Sequence, residues 1–124
     1  MKEEIKSNGA PKAIGPYSQG IAAGDTVYLS GQIPVDPNDG SIPDGIVLQT
    51  RRVFLNIAAV LGEKGLNFDN VVKTTVFMKN LGDFSVMNGI YEEYFKPPYP
   101  ARSTVEVAAL PKGVLIEIEV TAKA

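Results

Sequence analysis

Residues 100–119 contain the side chains best suited to chemistry in this chain. Arg102 stands in the run Pro-Ala-Arg-Ser-Thr, and Glu117 and Glu119 alternate with apolar residues further along. Because successive strand residues point to opposite faces, the two runs predict one apolar sheet face and one face carrying the arginine and the carboxylates. A fixed arginine beside small hydroxyls and a carboxylate suits the capture of a small carboxylic acid.

The composition narrows this chemistry. The chain has no histidine and no cysteine, which excludes thiol nucleophiles, serine–histidine triads and the usual zinc and iron–sulfur ligand sets. Arginine, lysine, tyrosine, hydroxyl, carboxylate and backbone groups remain. Catalysis would therefore rest on positioning, hydrogen bonding and a water guided by a carboxylate, and we expect no metal and no cofactor.

Length and charge predict one small domain over residues 1–124. A chain of 124 residues can form one hydrophobic core, and 44% hydrophobic residues argue against disorder. The net charge of −2 gives no bulk attraction to nucleic acid or to an anionic membrane. The N-terminus lacks an apolar signal core and no segment reads as membrane-spanning, so we expect a cytoplasmic protein.

The first third of the chain predicts a hairpin followed by a loop. Strands are expected at 18–23 and 26–32, separated by a Gly24-Asp25 turn. The stretch from 34 to 45 is rich in proline and glycine, which disfavours regular structure.

Two helices and a strand are predicted in the middle. The first helix runs from about Val47 to Lys64, with Gly65 as its C-cap, and a β-branched strand follows at 71–78. Its apolar stripe consists of Val53, Ile57, Val60 and Leu61, and its polar stripe of Gln49, Arg52, Asn56 and Glu63. The second helix begins near Asp83 and ends before 97–98, two prolines. Its apolar stripe, interpreted as core, consists of Phe84, Met87, Tyr91 and Phe95.

These elements predict an α+β fold with both helices on one face of a mixed sheet. The other face would then be of mixed character. Its polar members would be Arg102, Thr104, Glu106, Glu117 and Glu119. A face of this kind is either solvated or packed against another subunit, and the sequence pattern leaves both alternatives open.

Five segments carry a family resemblance. They are Gly-Pro-Tyr-Ser-Gln at 15–19, Tyr-Leu-Ser-Gly-Gln-Ile-Pro at 28–34, Val-Lys-Thr-Thr-Val-Phe-Met at 72–78, Asn-Gly-Ile-Tyr at 88–91, and Pro-Ala-Arg-Ser at 100–103 running through to Ile-Glu-Ile at 116–118. In these residues and their order the chain resembles the RidA family, also called the YjgF family, over nearly its whole length. Several ordered matches are far more specific than one short motif.

The resemblance implies a chorismate-mutase-like fold, with a six-stranded mixed sheet and two helices on one face. It also implies a barrel-like homotrimer with active sites in clefts between subunits. The implied activity is hydrolysis of 2-aminoacrylate, 2-aminocrotonate and their tautomers 2-iminopropanoate and 2-iminobutanoate to 2-oxo acids and ammonia. Their C=N carbon is already electrophilic, so the protein needs only to hold the substrate and aim a water. We expect no nucleic acid or membrane partner.

The resemblance also assigns catalytic roles. Arg102 matches the carboxylate-binding arginine, although the strand pattern alone would favour a surface ion pair. Glu117 matches the glutamate that positions or activates the water, and a Glu117 close to an arginine should stay ionised. Tyr17 lies in a loop, where it could close the pocket and donate a hydrogen bond or simply bury its ring.

Four further residues are expected to bind substrate. Ser30 and Gly31 end a strand, where a hydroxyl and bare backbone can approach a ligand, although ordinary strand-end chemistry would look the same. Asn88 lies in the second helix, either packed, near the ligand or simply exposed. Thr104 stands where many relatives have cysteine, so thiol chemistry cannot be essential to an active protein.

Other functions stay open at this point. A module that binds 2-oxo acids without turnover would use the same pocket. Ribonuclease or translation-inhibitor activity and holdase chaperone activity are reported for some relatives. The ribonuclease alternative is disfavoured by the missing histidine, the net charge of −2 and the lack of a basic-aromatic cluster.

Overall fold

The computed structural model describes residues 1–124. Its strands are β1 (Lys2–Ile5), β2 (Gly20–Ala23), β3 (Thr26–Leu29), β4 (Val71–Met78), β5 (Ala101–Glu106) and β6 (Ile116–Lys123), and its α-helices are α1 (Gly45–Gly62) and α2 (Phe84–Tyr94). Short 3-10 turns lie at Phe68–Asn70, Leu81–Asp83 and Pro111–Gly113. The sheet order is β1-β2-β3-β6-β4-β5, with only β4 and β5 parallel. The predicted α+β class, with a six-stranded mixed sheet and two helices, is confirmed.

The N-terminal strands match the predicted hairpin but start and end closer to the turn. Ala23 pairs with Thr26 across a turn in which Gly24 adopts a positive φ of 62°, a conformation that favours glycine. Strand β1 was not predicted, because the run Lys-Glu-Glu-Ile has no alternation and three of its four residues are exposed. It pairs with β2 and extends the sheet by one edge strand.

Helix α1 packs its apolar stripe into the core. All four predicted apolar residues, Val53, Ile57, Val60 and Leu61, are buried. The predicted polar stripe is wrong at two positions, since Gln49 and Asn56 are also buried. The side-chain NH2 of each donates to backbone carbonyls of the loop that precedes the helix, so these polar side chains anchor that loop instead of facing water.

By length and apolar composition α1 could cross a membrane, contrary to the expectation from the sequence. Its apolar stripe packs inside the fold, against β6 and α2. The core helix of a soluble protein meets the same criteria.

Helix α2 completes the core with aromatic side chains. Met87, Tyr91 and Phe95 are buried, as predicted, and the ring of Phe54 stacks on Tyr94 at 4.3 Å between centroids. Asp83 lies at the N-cap position, but its side chain makes no capping hydrogen bond. The adjacent turn is capped instead by Asn80, whose side chain accepts from the backbone N–H of Gly82.

The two C-terminal strands do not form the single polar face that the sequence predicts. Strand β4 lies between them, and its Thr74 aligns with both Arg102 and Val120, whereas its Phe77 aligns with Glu117. Aligned residues of neighbouring strands share a face. Arg102 therefore lies on the helix-covered face, as do Thr104 and Glu106, and Glu117 and Glu119 lie on the open face.

Candidate functional site

Arg102 is held beneath α2 without an acidic partner. Its Nη1 donates to Oδ1 of Asn88 at 2.8 Å. The guanidinium carbon lies 4.6 Å from the ring centroid of Tyr91 and 5.4 Å from that of Phe84. No carboxylate lies within ion-pair distance of this half-buried arginine. Its orientation is therefore fixed by an amide and two rings, which leaves its charge available to an anion.

Tyr91, which the sequence assigned only to the core, is a further candidate for this site. It is 4% exposed, and its hydroxyl is hydrogen-bonded to Oγ1 of Thr74 at 2.8 Å. Burial raises the pKa of the Tyr91 phenol, so the ring stays neutral under the guanidinium. The signal was available in the spacing, because Phe84, Asn88 and Tyr91 share one face of a helix.

A cavity of about 470 Å³ opens at the guanidinium. Its lining consists of Asn88, Tyr91, Glu92, Tyr99, Pro100 and Arg102. Two residues along β5 from Arg102, the hydroxyl of Thr104 is buried with no hydrogen-bond partner. This first cluster of candidate residues therefore combines one oriented cation, an amide and aromatic walls, which suits the binding of a small acid.

A second cluster of candidate residues lies around Glu117 on the open face. Gln32 and Ile118 exchange two backbone hydrogen bonds of 2.8 and 3.1 Å, which lay the preceding Gly31 against the Glu117 side chain. A Cβ on Gly31 would lie 2.8 Å from Cδ of Glu117 and closer still to Oε2. The absence of a Cβ at Gly31 is therefore what lets the Glu117 carboxyl lie where it does, and the φ of Gly31 is not positive.

Glu117 is a half-buried carboxyl group without an electrostatic partner. It makes no side-chain hydrogen bond and no ion pair. Burial, and then repulsion from Glu119, raise the pKa of Glu117 above its ordinary value. No arginine pairs with Glu117 within one chain, so the condition under which it was expected to stay ionised is not met there.

Tyr17 and Ser30 lie in the same cleft as Glu117. Tyr17 is 54% exposed in the single chain, and its hydroxyl accepts a long hydrogen bond of 3.4 Å from the N–H of Ile14. The Ser30 hydroxyl donates to the carbonyl of Ser18 at 2.6 Å and ties the Tyr17 loop to the end of β3. The cleft, of about 830 Å³, is lined among others by Tyr17, Ser30, Gly31, Ile33, Asp36 and Glu117.

The predicted site residues thus form two groups within one chain. Asn88, Arg102 and Thr104 lie on the helix-covered side, and Tyr17, Ser30, Gly31 and Glu117 lie around the second cleft. Sequence reasoning predicted the residue types of both groups. The sheet register separates them, because Arg102 and Glu117 point to opposite faces.

Comparison with known proteins gives consistent matches over nearly the whole chain. A family model described as endoribonuclease L-PSP matches residues 7–124. A RutC family protein of Pyrococcus horikoshii is 51% identical, and a 2-iminobutanoate/2-iminopropanoate deaminase of Salmonella typhimurium is 47% identical, each match covering 98% of both proteins. The crystal structure of E. coli TdcF with bound serine superposes with a TM-score of 0.94 at 42% identity, covering 98% of each chain.

These matches define the class, a small α+β protein of the L-PSP type. More particularly, the chain belongs to the RidA family, also called the YjgF or RutC family.

Proposed function

We propose that this protein hydrolyses small 2-imino acids and their enamine tautomers to 2-oxo acids and ammonia. The observation that carries the proposal is Arg102, a half-buried arginine fixed by Asn88 and Tyr91 with no carboxylate of its own. A planar cation held in this way suits a compact carboxylate, which it can bind with two parallel hydrogen bonds. Deaminase relatives at 46–47% identity support the same reaction.

The chemistry requires a water molecule and a group that moves its proton. In the proposed reaction, water adds to the C=N carbon, the resulting carbinolamine transfers a proton to nitrogen, and ammonia leaves as the C=O bond forms. Glu117 suits the transfer because its raised pKa allows it both to accept a proton from water and to return one to nitrogen. Ser30, Gly31 and Tyr17 would bound the space in which this water lies.

A complete site needs more than one copy of the chain. Arg102 and Glu117 point to opposite faces of one sheet, so a small imino acid cannot contact both in a single chain. We therefore propose a homotrimer in which Arg102, Asn88 and Thr104 of one subunit face the cleft around Glu117 of the next. Light scattering should give about three times the chain mass of 13.3 kDa, and a stable monomer would contradict this proposal.

The activity is tested by generating 2-iminopropanoate in place. An amino-acid oxidase acting on alanine supplies the imine, and semicarbazide traps whatever imine survives. Adding this protein should lower the rate of semicarbazone formation while oxidase turnover, followed as peroxide with the trap present, stays constant. Unchanged trapping at micromolar protein would refute the proposed function.

A binding module without turnover is the second candidate. One observation favours it, since the TdcF relative was crystallised with serine bound. Calorimetry with 2-oxobutanoate distinguishes the two candidates when it is combined with the trapping assay. Binding with no effect on trapping would favour the sensor.

A further inference from the structure

We infer that Arg52 and Asn56, on α1, position the wall of the Glu117 cleft and thereby set the behaviour of the Glu117 carboxyl group. This inference rests on the proposed function for its catalytic meaning. Neither residue lines the cleft, so they would act through the segment that does. The inference starts from Asn56, a polar side chain that is 0% exposed in the middle of a core helix.

Asn56 is hydrogen-bonded to the backbone of the segment that follows Gly31. Its Nδ2 donates to the backbone carbonyls of Ile33 and Val35, both at 3.0 Å. Both acceptor residues line the cleft. One amide group therefore uses both of its N–H bonds to fix the path of a segment that has no strand or helix of its own from Pro34 onward.

Arg52 orients this amide. Its Nε and Nη2 both donate to Oδ1 of Asn56, at 3.2 and 3.0 Å, so the amide NH2 must face the segment. Its Nη1 also lies 3.7 Å from Oδ2 of Asp36, which lines the same cleft. Arg52 therefore contacts the segment twice, once through Asn56 and once directly.

The segment bound by Asn56 and Arg52, residues 33–36, directly follows Gly31 and Gln32, and Gly31 contacts Glu117. Gln32 is hydrogen-bonded to Ile118, and Gly31 lies directly against the Glu117 carboxyl. The burial of Glu117 thus depends on where residues 31–36 lie. A looser segment would admit water to the carboxyl and weaken the desolvation that disfavours its charge.

Glu119 repels Glu117, and the other titratable groups around Glu117 also have to be held constant in the test. Those lining the same cleft are Lys12, Tyr17, Asp36 and Lys112, and those on the open sheet face include Tyr28, Lys73, Glu119 and Lys123. Arg52→Lys leaves all of these side chains in place and keeps its own charge, while it loses the fork that holds Asn56 and alters the contact with Asp36. A shift in the titration of Glu117 would therefore report geometry rather than a change in net charge.

The test is the titration of Glu117 followed by carbon-13 NMR of its carboxyl group, which needs no substrate. Arg52→Lys should lower the titration midpoint by about 0.5 pH unit or more, because the carboxyl becomes more hydrated. In the imine assay it should lower kcat about tenfold with little change in KM, since Arg102 still binds the carboxylate. Arg51→Lys is the matched control, because Arg51 lies on the same helix but pairs with Glu93 on α2.

Two outcomes would overturn the inference. One is an unchanged Glu117 midpoint in folded Arg52→Lys, and the other is an equal shift in Arg51→Lys, which would indicate general loosening. Failure of the proposed function is separate. It would appear as a parent protein that does not hydrolyse 2-iminopropanoate, whatever the NMR titration gives.

Discussion

Replacing Arg102 by lysine is the sharpest test of the proposed carboxylate site. The substitution keeps the charge and removes the planar fork. It also removes the 2.8 Å hydrogen bond to Asn88 and the stacking over Tyr91 at 4.6 Å, so the ammonium has no fixed direction. Because no ion pair is broken, the fold should tolerate the change.

The expected magnitude follows from the contact that is lost. A bidentate, charge-assisted hydrogen bond to a substrate carboxylate is worth roughly 2–4 kcal/mol once one of its arms is lost or misaligned. At about 1.4 kcal/mol for each factor of ten, kcat/KM should fall on the order of 30- to 1,000-fold. Much of this loss should appear in KM, because the carboxylate contact already exists in the ground state.

The assay is semicarbazide trapping of 2-iminopropanoate, with circular dichroism melting and light scattering as checks on fold and assembly. Arg51→Lys serves as the control, since it alters the same side chain in an exposed pair with Glu93 and should leave activity within twofold. A near-parental rate for Arg102→Lys would refute the reasoning and reduce Arg102 to an arginine buried for packing.

Gly31, Glu117 and the absence of cysteine give three further predictions. Gly31→Ala should displace the Glu117 carboxyl and lower kcat on the order of 100-fold, whereas Gly62→Ala, where a Cβ meets nothing within 4 Å, should leave the rate unchanged; equal rates for both would contradict the close-approach argument. Glu117→Gln should abolish activity yet raise the melting temperature at pH 8 more than at pH 4. The raised pKa of Glu117 means that its protonated form stabilises the fold at low pH and that this contribution is lost as pH rises through the folded-state value; a gain independent of pH would count against it. Iodoacetamide should leave hydrolysis unchanged, because the chain has no cysteine, and rapid inactivation would point to another nucleophile.

The sequence predicted the bounds of the secondary-structure elements better than it predicted which residues of different elements lie side by side. The strand at 71–78 is confirmed to the residue, because a β-branched run between clear breakers leaves little choice. Helix α1 was placed within two residues at each end for a similar reason, its apolar period. The buried state of Asn56 was missed because periodicity treats every amide as a surface group, and only the fold shows that two loop carbonyls need its NH2.

The faces of the C-terminal strands depend on a different kind of information. Alternation states which residues of one strand point together, but it does not state how two separated strands are phased. Here β4 sets that phase, since its Thr74 lies beside Arg102 and its Phe77 beside Glu117. The single polar face inferred from alternation alone was therefore wrong, whereas Arg102 and Glu117 stay candidates for the proposed site.

The separation of Arg102 from Glu117 prevents an ion pair between them within one chain. A single chain that held Arg102 and Glu117 together would form an ion pair, which would lower the proton affinity of the glutamate and occupy the arginine. On opposite faces of one chain the two groups do not pair, so within that chain the guanidinium has no carboxylate of its own and burial raises the pKa of Glu117. If the groups meet only across a subunit boundary with substrate between them, the substrate carboxylate takes the place of that ion pair. The unpaired guanidinium and the raised pKa of Glu117, which suit both groups to the proposed reaction, thus result from the sheet register.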